Sequence, residues 1–247
     1  MKSPFVQRAL TLGDAYAAQL DADARHYWAE NRRRIAAAVG EVAEVLRGPL
    51  SDRRPARIID VGPSLETVLL GQLFPDVILE TMGWADHRYQ SSGVAAHHPL
   101  DLNATVDPAK VPQPEPCDLI LFLEVVEHLH TAPIFALRYL RTCLRAGGYL
   151  LVSTPNAAFL RNRWRLLCGR NPFEPLREDL RNPGHFREYT AAEFGRLLDE
   201  AGFARVALRR ENLYDFGSAS GRLASRLAEW MPGSFRHDML FVAQRRE

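Results

Sequence analysis

The chain has 247 residues, 47% of them apolar, and a formal net charge of +1. That is ample for one α/β core with additions, and a balance this even provides no overall field to draw nucleic acid or a membrane. Lys2 and Lys110 are the only lysines among 31 basic residues, an arginine bias that reads first as GC-rich codon usage.

Cys117, Cys143 and Cys168 are widely spaced and form no C-x-x-C pair, so they read as reduced thiols in a cytoplasm. No apolar run approaches membrane-spanning length and the start of the chain lacks a signal-peptide stretch, so a cytoplasmic location is expected.

Residues 1–50 are expected to form a helical cap and residues 51–247 the main domain. From Pro4 to Arg47 there is no strand signal, and Ile35, Val39, Val42 and Leu46 recur at helical spacing before Gly48-Pro49 stops the helix. Tyr27 and Trp28 on this helix suit either a shield over a site or ordinary core. Ile58–Val61 then reads as a strand, Leu65–Leu73 as a helix and Val77–Met82 as a second strand. A weak third strand follows near Val94–Leu100, and Asp118–Leu123 is a clear buried one. Pro133–Leu144 reads as a helix stopped by Gly147-Gly148, and Tyr149–Ser153 as the fifth strand. The region from Thr154 to about Gly184 reads as irregular and Arg-rich. Thr190 with Glu193 forms a capping box for a helix over Ala191–Ala201. Phe203–Leu208 and Met239–Ala243 close the chain as a strand pair around a helical insert near Ala219–Trp230. Strands alternating with helices predict an α/β fold with a mostly parallel sheet, carrying inserts at about 157–187 and 211–236.

The first strand ends in Asp60-Val61-Gly62-Pro63-Ser64-Leu65-Glu66, a strand, tight turn and helix start of the kind that seats nucleotide-type cofactors. Gly62 permits the turn, and Ser64 is a good helix cap. Asp60 stands at the strand end, where its carboxylate can accept from the turn or a ligand. The turn is poor in glycine, and Glu66 in the first helical turn opposes a pyrophosphate. A cofactor without phosphate suits it better than a dinucleotide.

Three later stretches carry a resemblance. Asp118-Leu119-Ile120-Leu121-Phe122-Leu123-Glu124-Val125-Val126-Glu127-His128-Leu129 resembles the fourth-strand motif of class I S-adenosylmethionine-dependent methyltransferases, in particular the group that includes the ubiquinone O-methyltransferases. Leu144-Arg145-Ala146-Gly147-Gly148-Tyr149-Leu150-Leu151-Val152-Ser153-Thr154-Pro155-Asn156 is similar to the fifth-strand motif of that group, and His185-Phe186-Arg187-Glu188-Tyr189-Thr190, followed by Glu193-Phe194 and Glu200-Ala201-Gly202-Phe203, to its sixth. The resemblance implies a Rossmann-like, seven-stranded, mostly parallel sheet with an antiparallel last strand, helices on both faces and an N-terminal helical extension. It implies S-adenosylmethionine as cofactor, S-adenosylhomocysteine as product, and a site across the carboxyl ends of the first strands. The family pattern G-x-G-x-G keeps here only Asp60 and Gly62, with Ser64 and Glu66 in place of the later glycines.

Carried over residue by residue, Asp60, Gly62, Pro63 and Ser64 match the cofactor turn. Glu80 matches the acid that holds the ribose hydroxyls, with Asp86 as fallback if the second strand ends later. Asp101 matches the acid that accepts from the adenine amino group, with Leu102 against the ring, and Leu123 and Glu124 lie beside the methionine portion.

Transfer to a hydroxyl also needs a proton removed, and His128 and His185 are the candidate bases because imidazole titrates near neutrality. Glu124, Glu127, His128 and His185 also match the metal set of small-RNA 3′-terminal 2′-O-methyltransferases, which admits Mg²⁺ or Mn²⁺; the simpler reading holds no metal. The Arg-rich stretch from Arg161 to Arg187, interleaved with Phe159, Trp164, Leu166, Leu167 and Phe173, suits a lid for an acidic acceptor such as a nucleotide-sugar or glycan. With Leu223, Leu227 and Trp230 it also suits peripheral membrane contact. The expected activity is methyl transfer to a small-molecule or glycan acceptor, at oxygen before carbon or nitrogen, with nucleic acid a poor candidate partner. A catalytically silent Rossmann-like binding or scaffold protein and a metal-dependent RNA-terminus methyltransferase are the two alternatives.

Overall fold

The computed structural model describes residues 3–85, 93–179 and 183–247. Helices α1 (Pro4–Ala17) and α2 (Ala22–Arg47) precede β1 (Arg57–Val61), α3 (Leu65–Leu73), β2 (Ile78–Gly83) and β3 (Val94–Pro99). After them come β4 (Cys117–Leu123), α4 (Pro133–Cys143), β5 (Leu144–Pro155), α5 (Leu160–Leu167), α6 (Ala191–Glu200), β6 (Phe203–Glu211), α7 (Ala219–Ala228) and β7 (Asp238–Arg245). The strands form one sheet in the order β3-β2-β1-β4-β5-β7-β6. β1 pairs in parallel with β2 and β4, while β7 runs antiparallel to both β5 and β6. The seven-stranded Rossmann-like arrangement is therefore as expected, with its antiparallel strand inserted last in sequence but next to last in space.

The sheet is buried on both faces, which is why β1 and β4 read as continuous apolar runs. Alternation within β4 divides the core: Leu119 and Leu121 meet Ile35, Val39 and Val42 of α2 and Leu69 of α3. Ile120 and Phe122 meet Leu137 of α4 and Phe194 and Leu198 of α6. Each such fully buried side chain contributes about 1.5–3 kcal/mol, so α2 is held by the main core and covers the face of the sheet on which β1 leads into α3.

Three expectations are corrected, and the open reading of Trp28 is resolved. The N-terminal helical stretch is broken after Ala17, because Asp21 caps a new helix by accepting from Ala24 N–H at 2.8 Å. Trp28 of α2 fills space over Gly13, where an added Cβ would lie 2.0 Å from the indole, and its Nε1 donates to Asp14 at 2.8 Å; it is core. The fifth strand begins at Leu144, which pairs with Cys117, so Gly147 (φ +72°) and Gly148 lie in an irregularity of β5. The stretch read as irregular contains α5, whose partner is α7: Phe159, Ala224 and Ala228 form a small satellite core with Leu160 and Phe216. No described helix is long and apolar enough to cross a membrane.

Candidate active site

The carboxyl ends of β1 and β4 are drawn together by a glycine. Gly62 has φ +76°, and its N–H donates to the Met82 carbonyl at 2.8 Å. A Cβ at this position would stand 2.7 Å from Cγ2 of Val125, so backbone conformation and close approach both require glycine. Pro63 lies against Gly83 at the end of β2.

Behind the turn Asp60 is fully buried: Thr67 Oγ1 donates to one carboxylate oxygen, and the other, Oδ1, has no partner. Burial, with the Glu66 charge added, pushes the Asp60 carboxyl up to about 8. Ser64 donates its hydroxyl to Glu66, and its N–H is received by Thr67 Oγ1 at 3.0 Å. Burial likewise raises the Glu66 carboxyl.

The opposite wall is Glu124, the one non-glycine among the described residues in the left-handed region, at φ +54°. Such conformations cost free energy and cluster at functional sites. Its N–H donates to Ser153 carbonyl at 3.0 Å, its carboxylate is paired with Arg34 of α2, and its Oε1 is buried without a partner. Tyr27, seven residues before Arg34 on the same helical stripe, is pushed up to about 12 by burial and then by the Glu66 charge. Arg34 was invisible in the sequence, one arginine in the run Arg32-Arg33-Arg34. Tyr27 suits either a shield or ordinary core from sequence, and Thr67 is readable from its three-residue spacing to Ser64.

Glu80, matched from sequence to the ribose acid, stands elsewhere in its strand than that match expects. β2 runs on to Gly83, so Glu80 stands in mid-strand opposite Ile59, not at the strand end. Both of its oxygens are taken, one by Arg57 and the other by His98 Nε2 at 2.8 Å. The condition for the fallback, a strand that ends later, is met; Asp86 itself lies outside the described residues. Asp101 follows β3 and is exposed, accepting from the Asn103 N–H and side-chain amide, each at 2.9 Å. Leu102 is buried in the core cluster with Leu100 and Val111, so its packing is with the protein interior. Leu123 ends β4 and is buried.

Beyond Glu124 the chain makes a short turn, Val126–His128. The carbonyl of Glu127 accepts from Phe186 N–H at 2.8 Å and Arg187 N–H at 3.3 Å, and Asn156 bridges to Tyr189, so the ends of β4 and β5 together fix the His185 segment. The rings of His128 and His185 meet edge-on with centroids 4.9 Å apart. His128 donates Nδ1–H to the Gly184 carbonyl at 3.0 Å, and burial, then the His185 charge, lower it to about 4. His185 donates Nδ1–H to Glu188 at 3.1 Å, and the Glu188 and Glu127 carboxylates outweigh burial and raise its pKa above the ordinary imidazole value. Both rings therefore keep Nε2 unprotonated when neutral.

Glu127 is completely buried. Thr154 Oγ1 donates to it at 3.1 Å, its Oε1 is unpartnered, and burial followed by the Glu124 charge pushes it up to about 8. Ligand atoms of Glu127, His128 and His185 lie within 4.8 Å of one another, a grouping of the size a divalent ion takes. Glu124, the fourth member of the set expected from sequence, is engaged by Arg34 instead. Glu188 was missed in the sequence, although its three-residue spacing from His185 was readable there.

These residues fit the amino-acid end of S-adenosylmethionine. Asp60 Oδ1 and Glu124 Oε1 are buried carboxylate oxygens that lack a donor, which an ammonium supplies, and Arg34 is the adjacent cation for a carboxylate.

A family model for the methyltransferase domain matches residues 22–208. A Mycolicibacterium smegmatis protein named "Probable S-adenosylmethionine-dependent methyltransferase" is 38% identical over 96 residues, 38% of this chain and 32% of its own length. A Mycobacterium tuberculosis protein of like description is 36% identical over 104 residues, 40% of this chain and 32% of its own. The matches thus span about a third of the length of these curated relatives. Among solved structures, an S-adenosylmethionine-dependent methyltransferase from Mesorhizobium loti superposes with a TM-score of 0.53 at 16% identity, over 82% of this chain and 96% of that one. The Burkholderia thailandensis 1,6-didemethyltoxoflavin-N1-methyltransferase, solved with its namesake ligand and S-adenosylhomocysteine, does so with a TM-score of 0.53 at 15% identity, over 100% and 92%. The family match takes in β1 to β5, both histidines and most of β6, and on that ground the chain belongs to the methyltransferase-domain family, with the fold of the class I S-adenosylmethionine-dependent methyltransferases.

Proposed function

We propose that the protein methylates a hydroxyl of a small-molecule or glycan acceptor, with S-adenosylmethionine as donor and His185 as base. The observation that carries the reading is the His128–His185 pair, fixed by the ends of β4 and β5, β4 being the strand that also leads into Glu124. Arg34 would hold the cofactor carboxylate and the free oxygens of Asp60 and Glu124 its ammonium, while Asp101 and, in place of Glu80, Asp86 are the acids left for the adenosyl part. The bound cofactor supplies an electrophilic methyl group on a sulfonium.

His185 would take the acceptor hydroxyl proton at Nε2 as the acceptor oxygen is methylated. Glu188 holds the ring by its Nδ1–H and stabilises the imidazolium so formed. His128 stays neutral and is placed to accept a hydrogen bond that orients the acceptor.

Calorimetric titration with S-adenosylhomocysteine tests the donor: binding in the micromolar range is expected, and none at millimolar concentration would instead support the silent scaffold reading. His185→Gln should lower turnover by about 100-fold or more while leaving product affinity intact. A second reading, with Mg²⁺ or Mn²⁺ on Glu127, His128 and His185, draws on the unpartnered Oε1 of Glu127 and the compactness of that group. Loss of activity on chelation, restored by Mn²⁺, would favour it.

A further inference from the structure

The satellite unit built from α5 and α7 carries an exposed face that neither the cofactor turn nor the histidine pair uses. Ser218 caps α7 by accepting from Gly221 N–H at 3.2 Å, and Gly221, Ala224 and Ala228 turn one stripe inward. Leu223, Leu227 and Trp230, at helical spacings of four and three, form a second stripe that stays in solvent, with Trp230 92% exposed. On helix α5 Leu160 packs into the satellite core while Trp164 and Leu167, three residues apart, stay in solvent; Leu167 is 81% and Trp164 67% exposed. Single exposed leucines are ordinary, but two tryptophans and three leucines on two helices that pack together are a patch.

Each apolar stripe is flanked by arginine. Arg161 and Arg165 follow Leu160 and Trp164 by one residue, about 100° around the helix, and Arg222 and Arg226 precede Leu223 and Leu227 by the same step. Among the described residues, none of the four is in a salt bridge. Arg165 and Arg222 donate to the carbonyls of Asn171 and Gly217, and Arg161 lies over the Phe216 ring at 6.0 Å. Glu229 is the acid on the arginine stripe of α7.

We propose that this face docks on an anionic phospholipid surface, with Trp164, Leu167, Leu227 and Trp230 entering the interface and the four arginines meeting lipid phosphates. Charge decides for lipid over a protein groove. Arginines that lack carboxylate partners complement a field of phosphates, and a tryptophan standing almost wholly free at a helix end suits the headgroup–acyl boundary, where its apolar body and N–H are both accommodated.

The test is sedimentation of the full chain with vesicles of phosphatidylcholine alone or with about a third phosphatidylglycerol. Partitioning onto the anionic vesicles should exceed that onto neutral ones by about tenfold and fall with added salt. L227S/W230S and, independently, W164S/L167S should each reduce it by about tenfold, and R222Q/R226Q should erase the preference for anionic lipid. Because these side chains are exposed, circular dichroism melting curves should not move. No sedimentation with anionic vesicles, or binding that the four apolar substitutions leave unchanged, would overturn the proposal. So would a dimer in sedimentation velocity that L227S/W230S dissolves while vesicle binding persists.

Discussion

Arg34→Met tests the assignment of the amino-acid end of the cofactor most directly. Arg34 and Glu124 each keep only 14% of their side-chain surface, so the substitution strands a buried carboxylate. Breaking a buried pair from one side costs about 3–5 kcal/mol. The double variant R34M/E124Q, with no stranded charge, should recover most of that stability in urea unfolding.

Binding separates from folding in a second assay. A charge-assisted contact is worth roughly 1.5–3 kcal/mol, so the affinity of the folded double variant for S-adenosylhomocysteine should fall about 10- to 150-fold. Adenosine has no carboxylate, and its affinity should change by less than about twofold. Equal losses for the two ligands, or no loss for either, would refute the placement of Arg34 and Glu124 at the amino-acid end of the cofactor.

Glu80→Gln should cost about 1–3 kcal/mol of stability by loosening the Arg57 contact, with product affinity kept, whereas Asp86→Asn should weaken product and adenosine alike; the reverse pattern in calorimetry would restore Glu80 to the ribose. The acid limb of the turnover profile should lie above the ordinary imidazole value, because the base must be neutral and Glu188 stabilises its charged form. In Glu188→Gln that limb should move to lower pH, and a limb that stays or moves up would dismiss His185 as the base. Gly62→Ala should cost about 2–4 kcal/mol, the sum of left-handed strain and overpacking against Val125. Adding Val125→Ala should return only the packing part, and full rescue in unfolding titrations would show that the left-handed strain was misjudged.

Local chemistry made most of the fold legible. Helix α3 matches its expected span of Leu65–Leu73, because a turn glycine and a capping serine mark its start. β4 is plain because an apolar run buried on both faces resembles little else. The failures are tertiary. Nothing local distinguishes Arg34 from Arg32 and Arg33, since its role is set by which face of α2 lies over β1 and β4. The partners of Glu80 were hidden too: it lies opposite Ile59 in mid-strand with Arg57 and His98 on its carboxylate, and spacing along the chain does not show contacts between strands. α5 escaped notice because only Asn162 of its residues is buried, so an inward apolar stripe was missing from the pattern.

The loss of the later glycines is intelligible from the same contacts. A glycine-rich turn lets backbone N–H groups surround phosphate, and a ligand without phosphate removes that demand. Here the replacing side chains bond within the turn and the first residues of α3: Ser64 donates to Glu66, and Thr67 serves both Ser64 and Asp60. What remains around the turn is a set of buried acids. Asp60, Glu66 and Glu127 are all raised by burial, and the Arg34 guanidinium is already paired with Glu124. Buried acids held so far from their ordinary range favour a ligand that brings positive charge. A sulfonium with an ammonium brings two, against one carboxylate, whereas a pyrophosphate would add to the repulsion. Gly62 is required by its φ of +76° and its approach to Val125, while the two later positions carry side chains that bond within the turn.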